Sequence, residues 1–324
     1  MNNIDLAISI VNHNTKDLLE NCLNSVYQKT KKIKFEVMVV DNGSNDGSTE
    51  MIRRKFPQVK LIENNKNVGF SKATNRGIEM STSRYVLLLN SDTILLDSLN
   101  EVLIYADNNP QVGAIGCKLI YPDGPIQPSA SRFITLEDEI LRTFRMGQYG
   151  KRPELRDFMI KYFGRLLGES VNTYLLTCEG KCDICQVDWV SGACLLVRRR
   201  VIDEIGLLDE NFFAYYEDID WCRRMRRAGW KIVYYPAVKV VHLTGESTQQ
   251  SEKSNIYHSL IHYRSKFYYH KKYEGELAVI ILKNIIIAKG LLMVFLFPIF
   301  CLLGKSKEVL AEFRILCKSI VLKV

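Results

Sequence analysis

No uncharged stretch of this 324-residue sequence reaches the length of a membrane span. The longest uncharged apolar core, Gly290 to Leu303, is too short and contains Pro298, and a polytopic membrane protein is excluded. Charge of one sign is not in large excess either: 44 Lys and Arg face 36 Asp and Glu, a net +8. That balance suits nucleotide phosphates or an anionic membrane surface as partners and demands neither. The nine cysteines lack the pattern of a disulfide framework, being odd in number in a chain long enough to build a core without staples. No secretory leader is visible over Met1 to Asp5, so a reducing, cytosolic setting is expected. What is present is ordinary globular material, 47% hydrophobic and 25% charged. It excludes a disordered or collagen-like chain and fits one large α/β domain with an appendage.

Strand-like and helical patterns alternate from the start. Leu6 to Val11, Phe35 to Val40, Val59 to Ile62 and Tyr85 to Leu89 are apolar runs of strand length. Lys16 to Gln28, Ser48 to Phe56 and Ser71 to Met80 carry helical spacing between them. Such alternation predicts right-handed βαβ units and a mostly parallel sheet, with ligands at the carboxyl ends of its strands. Val112 to Tyr121 reads as a strand pair or a bent strand, and residues 131–186 as a variable region that shapes an acceptor site. Patterning resumes over Val187 to Val197, with a helix from near Arg199 and another from Glu217 to Arg227 stopped by Gly229. Two strand-like runs follow, Lys231 to Tyr235 and Val238 to His242, with Pro236 between them. Cys22, Cys117, Cys194 and Cys222 lie in apolar segments and read as buried thiols. Cys178, Cys182 and Cys185 cluster, but a structural zinc lacks an evident fourth ligand, so a plain loop is the expectation.

The residues after each strand carry the information. The first strand ends in Asn12-His13-Asn14-Thr15 and the second in Asp41-Asn42-Gly43-Ser44-Asn45-Asp46-Gly47-Ser48. After the third come Asn67-Val68-Gly69-Phe70 and Asn75, and the fourth ends in Asn90-Ser91-Asp92. Such residues make turns, yet four successive tips of this kind on one sheet edge exceed what turns alone require. Asp92 offers the carboxylate that a hard divalent cation shares with substrate phosphates, and His242, ending a later run, could add a nitrogen. Taken alone, His242 reads more readily as a structural histidine. Glu217, Asp218 and Asp220 open a helix whose dipole accounts for one or two of them. The aromatic run Phe212-Phe213-Ala214-Tyr215-Tyr216 beside them makes a carboxylate there a candidate general base. Glu217 and Asp218 point in different directions on a helix, so one faces the reacting atom and the other supports or caps.

Near the end, Tyr263 to Tyr273 interleaves basic and aromatic residues, and Leu277 to Leu303 is almost wholly apolar except for Lys283, Asn284 and Lys289. Such flanks suit the membrane interface; a helix pair packed on the domain or on a second subunit is the alternative. Residues 248–324 are thus expected to contact a membrane or to oligomerise. Nucleic acid is not expected, because stacking platforms need an open groove and these aromatics adjoin an apolar run.

Six motifs recur in this order in family 2 glycosyltransferases: Ile8-Ser9-Ile10-Val11-Asn12, Val39 to Gly47, Asn67-Val68-Gly69-Phe70, Asn90-Ser91-Asp92, Ser191-Gly192-Ala193 and Glu217-Asp218-Ile219-Asp220-Trp221. The sequence resembles their bacterial rhamnosyltransferase-like branch. The resemblance implies a GT-A (Rossmann-like) domain over residues 1–247, a dTDP- or UDP-linked sugar donor and a divalent metal, Mg²⁺ or Mn²⁺. It implies inverting transfer to a glycan hydroxyl in cell-surface polysaccharide synthesis. With the apolar tail, it suggests a lipid-linked acceptor and a peripheral place on the inner face of the cell membrane. Asp41 matches the residue that reads the nucleotide base. Asn12 and Asn75 match donor-lining positions, and Asn14, Asn42, Asn67, Asn90 and Ser91 complete the expected donor set. Asp92 matches the last carboxylate of the Asp-x-Asp metal motif and His242 the later metal ligand. Asp218 matches the catalytic base, with Glu217 beside it. The motif's first position is Asn90 rather than Asp, which removes one negative charge near the diphosphate.

Competing readings fit less well. A sugar-1-phosphate nucleotidyltransferase carries a Gly-rich basic loop after its first strand, where this sequence has Asn12-His13-Asn14-Thr15. A processive synthase needs several long spans and a Gln-x-x-Arg-Trp motif, and none of Trp189, Trp221 and Trp230 completes one. A donor-binding scaffold without turnover is the non-enzymatic alternative that Asn90 raises.

Overall fold

The computed structural model describes residues 4–136, 138–139, 183–243, 252–302 and 306–323. Cys178, Cys182 and most of the expected variable region lie outside them. The chain divides into two compact units, Met1–Phe133 with Asn172–Gln250, and Ile134–Val171 with Ser251–Val324.

The first unit is built on β1 (Leu6–Asn12), β2 (Phe35–Asp41), β3 (Lys60–Glu63), β4 (Tyr85–Asn90), β5 (Thr93–Leu95), β6 (Val112–Ile120), β7 (Ile126–Gln127), β9 (Cys185–Val187), β11 (Cys194–Arg198) and β12 (Lys231–His242). They form one sheet in the order β3-β2-β1-β4-β11-β6-β12-β5, with β7 on β6 and β9 on β12. A separate two-stranded ribbon joins β8 (Ala130–Ser131) to β10 (Trp189–Val190). β1 pairs in parallel with β2 on one side and β4 on the other, and β6 pairs in parallel with β12. β11 runs antiparallel between β4 and β6. The chain therefore reverses its direction of travel across the sheet beside β1, the switch point where such folds bind ligands.

The central strands β1, β4 and β11 are buried almost throughout because both faces are covered. Leu6, Ile8 and Ile10 of β1 point to one face, among Leu19, Leu23 and Val26 of α1 (Lys16–Lys29), Met51 and Ile52 of α2 (Ser48–Lys55), and Val102 and Leu103 of α4 (Asn100–Asn108). Ala7 points to the other, in a cluster with Ile78 of α3 (Phe70–Glu79), Val201 and Ile202 of α5 (Arg199–Ile205), and Trp221, Cys222 and Met225 of α6 (Glu217–Arg227). The alternation is the two-residue period of a strand.

Some details differ from the sequence expectation. β6 is a single strand. The runs on either side of Pro236 form one strand, β12, because a register shift between Tyr235 and Lys239 accommodates the proline while pairing with β6 continues. β5 and α4 carried no periodicity strong enough to read. Cys185 is disulfide-bonded, so its sulfur is not a thiolate available to zinc. Cys22, Cys117, Cys194 and Cys222 are free and buried.

The second unit contains α7 (Glu252–Glu274), α8 (Glu276–Phe295), α9 (Phe297–Leu302) and α10 (Ser306–Ile320). Gly275, at φ +89°, breaks α7 from α8. Phe267, Val279, Leu282, Ile286, Met293, Val309 and Leu316 form its core.

Gly116 lies in the middle of β6 because the ribbon approaches there: a Cβ on it would sit 2.5 Å from Val190 Cβ. Gly116→Ala is expected to cost about 1–3 kcal/mol by overpacking, read as a lower urea midpoint. Adding Val190→Ala should recover part of that loss, and a parent-like midpoint for Gly116→Ala would show that the contact is slack.

Candidate active site

Register sets the site. Parallel pairing puts Asn12 opposite Asp41 and Val11 opposite Asn90, so the polar tips of β1, β2 and β4 come level. Asn12 Nδ2 donates to Asp41 Oδ1 at 2.8 Å and to Ser44 Oγ at 3.0 Å. Asp41 Oδ2 accepts the Ser44 amide at 2.9 Å. Asn14 takes a left-handed backbone, φ 55°, which Asn tolerates better than most residues. Its own amide donates to Ser44 Oγ at 2.9 Å, and its Oδ1 accepts the Asn45 amide at 2.8 Å. The first two strand tips are thereby stitched into one rim.

Asn42 stiffens the next loop rather than facing outward. Its Nδ2 donates to Asn67 Oδ1 and the Gly69 carbonyl, and its Oδ1 accepts from Asn64 Nδ2 and the Val68 amide. Asn67 Oδ1 also accepts the Gly69 amide. Gly69, at φ +93°, must be glycine: a Cβ would lie 2.8 Å from the Phe213 carbonyl oxygen. The Phe70 amide donates to that same oxygen at 2.6 Å. Asn75 clamps the backbone of Leu208, donating to its carbonyl at 2.9 Å and accepting its amide at 3.0 Å. Its Nδ2 also reaches Glu210 Oε1 at 3.2 Å. The structure thus directs the Asn75 amide at the 208–213 loop.

The tip of β4 joins this rim through Thr15, whose hydroxyl donates to Asn12 Oδ1 at 2.6 Å and lies 2.9 Å from Ser91 Oγ. One residue further, Asp92 meets His242. β5 pairs antiparallel with β12, setting His242 opposite Thr93. His242 Nε2 lies 3.2 Å from Asp92 Oδ1 and 3.3 Å from Asn90 Nδ2. His242 Nδ1 lies 3.0 Å from Gln127 Oε1. Both that oxygen and Asp92 Oδ1 only accept, so a neutral ring that donates from Nδ1 to Gln127 turns its Nε2 lone pair toward Asp92. A lone pair facing a carboxylate oxygen suits a shared divalent cation, and the residues present fit one. Among the described residues no three or more His, Cys, Asp or Glu gather as a metal cage. Such a cation would take its other ligands from water and donor phosphates, as Mg²⁺ commonly does.

The start of α6 carries an ionisable pair, Glu217 and Asp218. Tyr215 and Tyr216 both hold left-handed backbones, φ 68° and 69°, and lead directly into α6. Strain of this kind costs about 1–3 kcal/mol per residue and concentrates at functional sites. Asp218 Oδ2 accepts the Gly192 amide at 2.8 Å and Oδ1 the Ile219 amide at 2.8 Å. Gly192 packs directly on this side chain: a Cβ there would sit 3.4 Å from Asp218 Cβ, in ordinary contact. The next residue, Ala193, accepts the Asn90 amide at 3.0 Å. Asp218 and the Asn90-Ser91-Asp92 tip are therefore tied to adjacent residues of one turn. Burial raises the Asp218 carboxyl above its ordinary range, against the pull of the Gly192 and Ile219 amides. Burial, then the neighbouring Asp218 charge, holds Glu217 well above it. Glu217 Oε2 is buried without a hydrogen-bond partner, which suits a neutral acid better than a carboxylate.

One hydrogen-bonded rim thus gathers Asn12, Asn14, Asp41, Asn90, Ser91, Asp92, His242 and Asp218. Asn42 and Asn67 brace it from behind, Glu217 adjoins Asp218, and Asn75 anchors a loop. Sequence reasoning missed Gln127, which orients His242 from a two-residue strand that leaves no periodic trace.

The fold is an α/β sheet whose polar strand tips gather at its switch point, where such folds bind ligands. Residues 4–256 match the family described as glycosyltransferase like family 2, and the chain belongs to that family. It is 29% identical over 274 residues to N-acetylglucosaminyl-diphospho-decaprenol L-rhamnosyltransferase of Mycobacterium tuberculosis, covering 81% of this chain and 82% of that one. It is 25% identical over 245 residues to rhamnosyltransferase WbbL of Escherichia coli, covering 72% and 82%. The GT-A fold is shared with mannosyltransferase PcManGT of Pyrobaculum calidifontis, solved with GDP-Man and Mn²⁺. The TM-score is 0.55 at 15% identity, over 98% of this chain and 86% of that one.

Asn75→Ala would strand the Leu208 amide and carbonyl, at about 1–3 kcal/mol for each group left unpaired. Chemical unfolding should show the loss, and an unchanged midpoint would mean that the clamp carries no weight.

Proposed function

We propose that this glycosyltransferase moves a sugar, with inversion, from a dTDP- or UDP-linked donor to a hydroxyl of a lipid-linked glycan. The relatives' names support rhamnose as the sugar, and the Mycobacterium tuberculosis relative is named for a diphospho-decaprenol acceptor. The setting that follows is the inner face of the cell membrane, in cell-surface polysaccharide synthesis.

Asp41, braced by Asn12 and Ser44, reads the nucleotide base. Asn12, Asn14, Asn90 and Ser91 line the donor, with Asn42 and Asn67 shaping the loop behind it. Asp92 and His242 would hold a divalent cation, which when bound supplies positive charge to the leaving nucleoside diphosphate. Asp218 takes the proton of the acceptor hydroxyl as that oxygen attacks the anomeric carbon from the face opposite the diphosphate. One displacement inverts the centre, and the departing diphosphate requires no general acid. Glu217, its carboxyl held by burial well above the ordinary range, adjoins Asp218. The observation that carries this reading is the tie from Asp218 through Gly192 and Ala193 to Asn90, which sets the base and the Asp92–His242 pair on one rim.

Asp218→Asn should lower kcat by about 10²–10⁴-fold, the usual contribution of a general base, and leave donor binding by calorimetry near the parent value. Parent-like turnover by this variant would remove Asp218 from the role, and donor binding without turnover in the parent would favour the scaffold reading. A raised base must still lose its proton to act, so kcat should fall on the acid side at a pH above the ordinary carboxylate value of about 4. A profile flat down to that pH would contradict the assignment. Removing divalent ions with a chelator should depress turnover and Mn²⁺ should restore it; indifference to both would separate Asp92 and His242 from metal binding.

A further inference from the structure

Helix α8 is apolar on two opposite faces. One face, Ala278, Val279, Leu282, Ile286, Gly290 and Met293, is buried. The other, Leu277, Ile280, Ile287, Leu291, Val294 and Phe295, is exposed, with Phe295 80% and Leu291 68% accessible. The exposed residues recur at three- and four-residue steps and form a continuous stripe. Asn284, the one polar residue in it, turns its amide back to the Ile280 carbonyl at 2.9 Å. Beside the far end of the stripe lies an apolar cavity of about 180 Å³ lined by Met293, Val294, Phe297, Val309, Leu310 and Phe313. A soluble surface rarely leaves such a stripe bare.

Charge says what covers it. Residues 251–324 hold twelve Lys and Arg against five Glu, so they carry +7 of the chain's net +8. Arg314, Lys318 and Lys323 are exposed on or just beyond α10, which also exposes Leu310. On α7, Lys272 lies over the rings of Tyr268 and Tyr273. A second copy would bring +7 against +7, whereas an anionic lipid surface complements both the charge and the apolar stripe.

α8 is long and apolar enough to cross a bilayer, but its polar groups oppose that orientation. Lys289 pairs with Glu312 at 2.6 Å and Lys283 donates to the Leu322 carbonyl at 2.8 Å, so a crossing helix would carry α10's charges into the hydrocarbon.

We propose that the C-terminal helical unit docks on an anionic membrane leaflet with α8 lying in the plane of the interface, its Leu277-to-Phe295 stripe sunk among the acyl chains. The proposal gives a surface to the membrane setting inferred above and rests on that reading for its biological purpose, not for its physics.

The test is co-sedimentation of the full chain with vesicles of phosphatidylcholine alone or mixed with phosphatidylglycerol. Binding should be at least about tenfold stronger to the anionic vesicles and should weaken as salt rises from about 0.1 to 0.5 M. Ile287→Asn with Leu291→Asn changes exposed positions only. It should lower binding about tenfold or more while leaving the thermal midpoint and transfer to a water-soluble acceptor unchanged. Lys318→Glu with Lys323→Glu should erase much of the anionic preference. Equal binding to both vesicle types, parent-like binding by the stripe variant, or resistance to alkaline carbonate extraction would overturn the proposal. So would a stripe variant that converts a dimer to a monomer without altering vesicle binding. If the chain binds anionic vesicles yet transfers nothing to lipid-linked acceptors, the acceptor reading fails and the docking surface stands.

Discussion

The site depends on the register of three parallel strands. Because Asn12 is level with Asp41, and Val11 with Asn90, each strand releases its polar tip at the same height. Apolar side chains on both faces fix that height. A slip of one residue would turn Leu6, Ile8 and Ile10 onto the face where Ala7 now packs. The core thus specifies the position of groups that contribute nothing to it. Asp41, a residue 2% accessible, has its carboxyl held by Asn12 and Ser44 because hydrophobic packing has already brought them together.

A second constraint works across the sheet. β11 runs antiparallel to β4 and β6, and the turn before it, Ser191-Gly192-Ala193, holds both Asp218 and the tip of β4. One amide of that turn receives Asp218 and one carbonyl receives the Asn90 amide. Two polar groups far apart in the sequence are thus held by a single backbone feature. Asn90 acquires a local sense here as well. The Asn90 amide can donate to His242 Nε2, which a carboxylate could not do.

Much of this was legible in the sequence where local pattern and burial coincide. The first four strands, their helices, the polar tips and the carboxylate-rich start of α6 all carry their own periodicity or punctuation. What escaped was held by partners far along the chain. β5 has three residues and exists through pairing with β12. Gln127 meets His242 from 115 residues away, and Asn75 meets Leu208 across 133. Pro236 looked like a break because a proline ends an ordinary strand; the register shift that shelters it belongs to the pairing with β6, not to the local sequence. The disulfide at Cys185 ran against the odd cysteine count, which speaks to a framework but not to one bridge.

The ties between residues 69–75 and 208–213 have a practical side. Phe70 holds the Phe213 carbonyl, Gly69 leaves room for it, and Asn75 grips Leu208. The two loops are distant in sequence yet behave as one casting. Anyone grafting one of these loops from a relative would have to transplant both halves together, since a foreign half would meet a mould cut for the other.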